Sequence, residues 1–403
     1  MSALLTVRYA IDTADFSRRD GRAPHDVEYD DLRANGVEHA RRAGHPEGRA
    51  RRGRGGQAPL RFWPAGLALV GRIVRARARG RPIFLSHLVT TRCNGHCAVC
   101  LWRDQTRGEM PADTIDWLYR QAASAGIAQV VIWGGEPFLR DDLPALLRSA
   151  KRAGLVVHLI TNGWFAQERW PEVRGLIETL IVSLDDVGDA HDRQRGLPGL
   201  YDRLERFVAE LRCDHLRPRL LVNTVLSRLN EGALPRVAAV ARRWGAGLYF
   251  CPMQTGYLLS GGFDPAKESL ALAPQQLQLA ALETLRLKAD GYPILSSRRY
   301  LQLLARDPAL TGYRCRMPRA MLTVEPDGAV RDCLRIDDPL LNVGDLMNAA
   351  RPLTDLFITP RYRAMVAGAA GCTQCNNPDV IETSWLWDLR PSMTAHVLRL
   401  LSS

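Results

Sequence analysis

Three cysteines fall within the eight residues CNGHCAVC, as Cys93, Cys97 and Cys100, at the end of an apolar run. Thiolates are soft ligands for zinc and for iron–sulfur clusters. Three of them can hold three irons of a cubane [4Fe–4S] cluster and leave the fourth iron to an outside ligand, which makes that corner a place for chemistry. A zinc site completed by His96 or His87 meets the same spacing. On spacing alone the two readings stand level. A second group, Cys315, Cys333, Cys372 and Cys375, supplies four thiols, the last two as C-x-x-C. Both a zinc ribbon and a four-cysteine cluster are compatible with it. Cys213 and Cys251 stand apart and read as ordinary buried thiols.

Elements to hold these residues can be read from residue 82 onward. Short apolar runs at 82–91, 128–135, 155–163, 179–185, 219–226 and 247–253 alternate with helical patterns of roughly 15 to 20 residues. Strands apolar on both faces and separated by helices imply a parallel sheet of β/α units. Six units predict an α/β fold, an open partial (β/α)6 barrel over 82–305. From about 306 the texture changes: Pro326, Asp327 and Gly328 supply the turn of a hairpin. A small β-hairpin and helix domain is therefore expected over 306–380, with a helical tail over 381–403.

The second strand ends in WGGEP, residues 133–137, on the sheet edge where β/α folds gather ligands. Gly134 and Gly135 permit close backbone approach, and Glu136 can accept hydrogen bonds from a ligand ammonium. C-x-x-x-C-x-x-C after strand 1, followed about 34 residues later by G-G-E-P after strand 2, resembles the radical S-adenosylmethionine (SAM) superfamily over residues 82–260. That resemblance implies a [4Fe–4S] cluster on Cys93, Cys97 and Cys100 whose free iron binds the amino and carboxylate groups of SAM. Reductive cleavage would then yield a 5′-deoxyadenosyl radical that abstracts hydrogen from an unactivated carbon. It assigns Gly134, Gly135 and Glu136 to the SAM amine, Ser183 and Asp185 to its ribose and carboxylate, and Arg195 to its carboxylate. Asn162, Asn223 and Met253 become nucleoside contacts. Val99 departs from the family, which often has an aromatic residue there, so Trp102 is a substitute for packing adenine.

The pattern C-x12-G-x4-C, then C-x-x-C, resembles the truncated auxiliary-cluster domain called twitch, a shortened SPASM domain. It implies one auxiliary [4Fe–4S] cluster on Cys315, Cys333, Cys372 and Cys375, acting as an electron carrier in a net oxidation. An external one-electron reductant of flavodoxin or ferredoxin type is implied as well. The expected substrate is a small molecule or lipid; a peptide-modifying enzyme is the alternative, and a non-catalytic iron–sulfur or zinc electron carrier is the competing class. His87, Tyr249 and Gln254 are candidates to face the barrel interior.

Composition bounds the rest. The net charge of +11 is contained in residues 41–81, which hold twelve Arg and one acid, Glu47. Residues 1–57 read as a disordered Arg/Gly-rich extension, and 58–81 as a basic amphipathic helix. That helix either contacts an anionic membrane surface through residues 60–80 or packs across the mouth of the barrel. Nucleic acid is an unfavoured partner, because no recognition module accompanies the charge. Nine Cys without an export signal indicate a reducing, cytoplasmic setting.

Overall fold

The chain is described from a computed structural model, over residues 71–72, 74–100, 102, 106–254, 265–309, 312–331, 339–373 and 375–388. Six parallel strands follow the six apolar runs: β1 (Phe84–Thr90), β2 (Gln129–Gly134), β3 (Val156–Thr161), β4 (Thr179–Ser183), β5 (Arg219–Leu226) and β6 (Gly247–Pro252). The helices between them are α1 (Ala112–Ala125), α2 (Leu143–Arg152), α3 (Ala166–Val173), α4 (Asp189–Arg195), α5 (Leu200–Cys213) and α6 (Leu234–Trp244). Each long helix turns an apolar stripe to the sheet, as Ile115, Leu118, Tyr119 and Ala122 do on α1. Alternate strand residues point the other way, where Ile181, Leu221, Tyr249 and Leu295 form a separate apolar cluster inside the curved sheet. The result is the open partial barrel that the β/α rhythm implies.

After α7 (Pro274–Ala289) and α8 (Arg298–Arg306) comes the hairpin of β7 (Met321–Val324) and β8 (Ala329–Arg331), with β9 (Leu341–Asn342) beside it. The hairpin does not stand apart. β7 pairs in parallel with β1, so one nine-stranded sheet runs β6-β5-β4-β3-β2-β1-β7-β8-β9. Met110 N donates to Pro326 O at 2.7 Å, tying the turn to the segment after the first cysteines. The helices α9 (Val343–Asn348), α10 (Pro360–Ala369) and α11 (Pro378–Trp387) complete the described fold. α11 is buried at every position but Val380, and its buried Asp379, Glu382 and Ser384 side chains are hydrogen-bonded. Ile381 and Trp385 join the main core, each burial stabilising by roughly 1.5–3 kcal/mol. Its first turn meets β6 through a hydrogen bond from Tyr249 to Asp379, and Trp387 reaches Ile83 and Phe84 at the start of β1.

The C-terminal end of the basic helix lies at the opposite edge from the one expected. Arg72 donates to the carbonyls of Ile127 at 2.6 Å and Gly154 at 2.8 Å, just before β2 and β3. It therefore covers the N-terminal edge of the strands and not the mouth, because those carbonyls and the end of α1 attract its guanidinium groups. Residues 58–70, the proposed disordered extension 1–57 and the tail from 389 fall outside the described residues. No helix among the described residues is long and apolar enough to cross a membrane. Cys213 is exposed, contrary to expectation, because it ends α5 on the side away from the sheet; Cys251 is buried.

Candidate functional site

Cys93, Cys97 and Cys100 sit in the loop that leaves β1, half-buried, at the C-terminal edge of the sheet. Two loops hold it. On one side, Gly135 N donates to Thr90 O at 2.8 Å and Glu136 N to Arg92 O at 2.9 Å. A Cβ on Gly134 would stand 2.3 Å from Thr90 O, and one on Gly135 2.1 Å from Arg92 O. The two glycines are thus required first by backbone contact with the cysteine loop. On the other side, His96 N donates to Arg195 O at 2.8 Å, at the end of α4.

The three sulfurs have different neighbours. Cys93 Sγ accepts from Gly95 N at 3.3 Å and lies 3.9 Å from Asn162 Nδ2. Cys100 Sγ accepts from Trp102 N at 3.4 Å. Cys97 faces the Arg195 guanidinium at 4.0 Å. Burial pushes the Cys93 thiol up to about 11 and raises Cys97, with Arg195 the strongest influence in the opposite direction at Cys97.

Two carboxylates assigned to SAM are already engaged. Glu136 is fully buried; it accepts from Asn162 N at 2.7 Å, Phe138 N at 3.1 Å and the Thr161 hydroxyl at 2.8 Å. It braces the ends of β2 and β3, with three donors on about four lone-pair sites. Burial pushes its pKa up to about 7. Asp185 accepts from Val225 N at 2.9 Å and pairs with Arg195 Nε at 2.7 Å, so it orients that arginine. Motif spacing gives no sign of either engagement, since both depend on neighbouring strands.

Asn162 is brought beside Cys93 and also donates to Asn94 Oδ1 at 2.8 Å. Ser183 and Asn223 are paired across β4 and β5, and Met253 follows β6, so these three lie along one sheet edge. Among the described residues, Asn94 Nδ2, Arg195 Nη2 and Asn223 Oδ1 are buried without a hydrogen-bond partner, which suits a polar ligand at this edge. Trp102 stands edge-on to Trp133 at 5.2 Å, making an aromatic wall beside the loop. His191, not singled out from sequence, accepts from Asp185 N at 3.1 Å through Nδ1.

His87 is on the other face of β1, bonded to Tyr119 on α1 at 2.9 Å, and burial lowers its pKa to about 3. It is removed as a fourth zinc ligand and as an interior residue, because strand alternation sends it outward. The His96 side chain is exposed. Among the described residues no three Cys, His, Asp or Glu side chains converge on a single metal ion; the corners of a cubane ask for wider separation. The residues present fit the cluster and SAM: a cysteine triad, a glycine turn against it and unpaired buried polar atoms. Tyr249 does face the interior, and Gln254 bonds Asn376 beside the second cysteine group.

In that second group, Cys315 N approaches Cys372 O at 3.4 Å, and the Tyr313 hydroxyl donates to Cys375 O at 3.0 Å while accepting from Cys375 N at 3.2 Å. Burial, then Cys375, raises the Tyr313 hydroxyl. Cys333 is outside the described residues.

Residues 88–236 match the model of the Radical SAM superfamily. The PqqA peptide cyclase of Xanthomonas axonopodis pv. citri (strain 306) is 36% identical over 168 residues, 39% of this chain and 44% of that protein. That of Gluconobacter oxydans (strain 621H) is 32% identical over 174 residues, 41% of this chain and 48% of that protein. The chain thus aligns with less than half the length of these relatives. Streptococcus suis SuiB bound to the precursor peptide SuiA superposes with a TM-score of 0.58 at 15% identity, over 81% of this chain and 79% of that one. The anSMEcpe structure with bound AdoMet and a Cp18Cys peptide gives 0.56 at 15% identity, over 78% and 99%. These superpositions establish the fold.

Proposed function

We propose, from the premise that residues 88–236 are a radical SAM domain, that this chain is a radical SAM enzyme that modifies a peptide. The observation that carries the reading is the packing of the three-cysteine loop against the Gly134–Gly135 turn, backbone to backbone. The bound cluster and SAM would supply a 5′-deoxyadenosyl radical able to take hydrogen from an unactivated carbon. Cys93, Cys97 and Cys100 would hold that cluster. The Gly134–Gly135 turn would offer backbone carbonyls to the SAM amine, and Glu136 would support that role by fixing the turn. Arg195, with Nη2 unpartnered among the described residues, is the donor for the SAM carboxylate, and Ser183, Asn223 and Met253 flank the nucleoside. Asp185 holds Arg195 in place.

Cys315, Cys333, Cys372 and Cys375 would bind an auxiliary [4Fe–4S] cluster that accepts an electron during a net oxidation. A flavodoxin- or ferredoxin-type protein would reduce the first cluster. A peptide substrate moves ahead of the small-molecule or lipid class expected from sequence, because the curated relatives are named for cyclising the peptide PqqA.

The test is anaerobic reconstitution with iron and sulfide, then dithionite and SAM, with mass spectrometry of 5′-deoxyadenosine and of short peptides encoded beside the gene. The expected result is 5′-deoxyadenosine in all samples and loss of two hydrogens from one peptide. Absence of 5′-deoxyadenosine above the cluster-free control overturns the enzyme reading; product from a metabolite or lipid but from no peptide overturns the substrate class.

A further inference from the structure

The end of α4 touches the cysteine loop through both backbone and side chain. The Arg195 carbonyl accepts from His96 N at 2.8 Å and lies 3.7 Å from Cys97 Sγ. Gly196, with φ of 61°, lets this close approach occur: a Cβ there would meet the His96 Cβ at 2.7 Å. The guanidinium is then fixed from behind. Its Nε lies 2.7 Å from Asp185 Oδ2, and Asp185 is itself anchored by Val225 N at 2.9 Å. With side chains only 11% and 2% exposed, Arg195 and Asp185 have little freedom to leave this arrangement. Nη1 is left at 4.0 Å from Cys97 Sγ. The contacts at Cys93 and Cys100 come instead from neutral donors, Gly95 N, Asn162 Nδ2 and Trp102 N.

We infer that Arg195 is a positioning residue that sets the reduction potential of the cluster through the Cys97 thiolate, with Asp185 aiming it. The inference rests on the radical SAM reading of the same cysteines. One-electron reduction adds negative charge to the cluster and its thiolates. A cation and hydrogen-bond donor beside one sulfur, in a site shielded from water, favours the reduced form and raises the potential. Asp185 stands behind the guanidinium, so its charge weakens this field without reversing it.

The experiment is a redox titration of the SAM-free, reconstituted full chain with dithionite as electron donor, read by electron paramagnetic resonance. The first cluster is identified as the signal that changes when SAM is added at the end. Arg195→Gln is expected to lower its midpoint by at least the 59 mV that a tenfold change in a one-electron equilibrium represents. Arg195→Lys, which keeps the charge at shorter reach, is expected to fall between. An unchanged midpoint in Arg195→Gln with wild-type iron and sulfide overturns the inference. If Arg195→Gln holds no cluster, Arg195→Lys decides: a lowered midpoint supports it, and an unchanged one overturns it. Wild-type protein without a SAM-responsive signal overturns the radical SAM reading itself, a separate outcome.

Discussion

The first cysteine group is built from one short loop, the second from positions spread between residues 315 and 375. The loop of Cys93, Cys97 and Cys100 is seated by rigid neighbours on both flanks, the glycine turn after β2 and the end of α4, and its sulfurs meet donors of different character. Cys315 and Cys372 meet through their backbones, and the Tyr313 hydroxyl both donates to and accepts from the Cys375 backbone. A compact motif can leave one corner open because its surroundings, not a fourth cysteine, define that corner. A dispersed motif needs the tertiary fold before it exists, and on the proposed reading four ligands would close it. The difference teaches that, if both groups hold clusters as proposed, the first would be suited to exchange a ligand and the second to keep its own.

The sharpest way to break this comparison is to remove a ligand from each. Cys97→Ala is expected to reduce 5′-deoxyadenosine formation to the cluster-free background. Cys375→Ala should retain SAM cleavage while peptide product falls at least tenfold, measured by mass spectrometry on the same samples. Equal loss of SAM cleavage in both would erase the distinction.

A smaller effect concerns the seat of the first group. Glu136 has its pKa raised by burial to about 7, against an ordinary value of 4.5. The native state therefore holds this proton more tightly than the unfolded chain. Its contribution to stability is complete below about pH 4.5 and is lost as pH rises through about 7. Glu136→Gln should flatten the wild-type decline between pH 5 and 8 by on the order of 3 kcal/mol or less, read from urea unfolding. A decline of the same size in the variant would show that the carboxyl is not its source.

The smallest effect belongs to the second group. Tyr313→Phe removes the hydroxyl shared by Cys375 N and O, and a loss of about 1–3 kcal/mol is expected, again by urea unfolding. A loss below 0.5 kcal/mol would mean that Tyr313 does not hold the second group together.

The parts of this arrangement that are local were legible in the sequence. All six barrel strands coincide with apolar runs, because a strand buried on both faces leaves an unbroken hydrophobic signature. The cysteine loop and the glycine turn lie at the ends of such runs, so their edge of the sheet followed. Individual roles were less legible. Glu136 and Asp185 look like free ligands in their motifs, yet their partners come from β3, β5 and α4, none of which local spacing reveals. His87 was ambiguous because a single strand does not declare which face is inward until a helix such as α1 covers the other. The hairpin was visible from its turn residues, but not its parallel pairing with β1, since nothing local encodes a partner so far away in sequence.

That pairing bears on how the chain is made. Phe84 meets Met321 and His87 meets Val324, so β1 keeps an unsatisfied ladder until the ribosome has released more than two hundred further residues. During synthesis the strand that leads into the cysteine loop would present that edge bare, open to pairing with another nascent chain. Contacts this remote in sequence also form slowly. Recombinant yield should therefore depend on translation speed and chaperone supply more than on the barrel's own cohesion, and fragments that stop before the hairpin would expose an adhesive border.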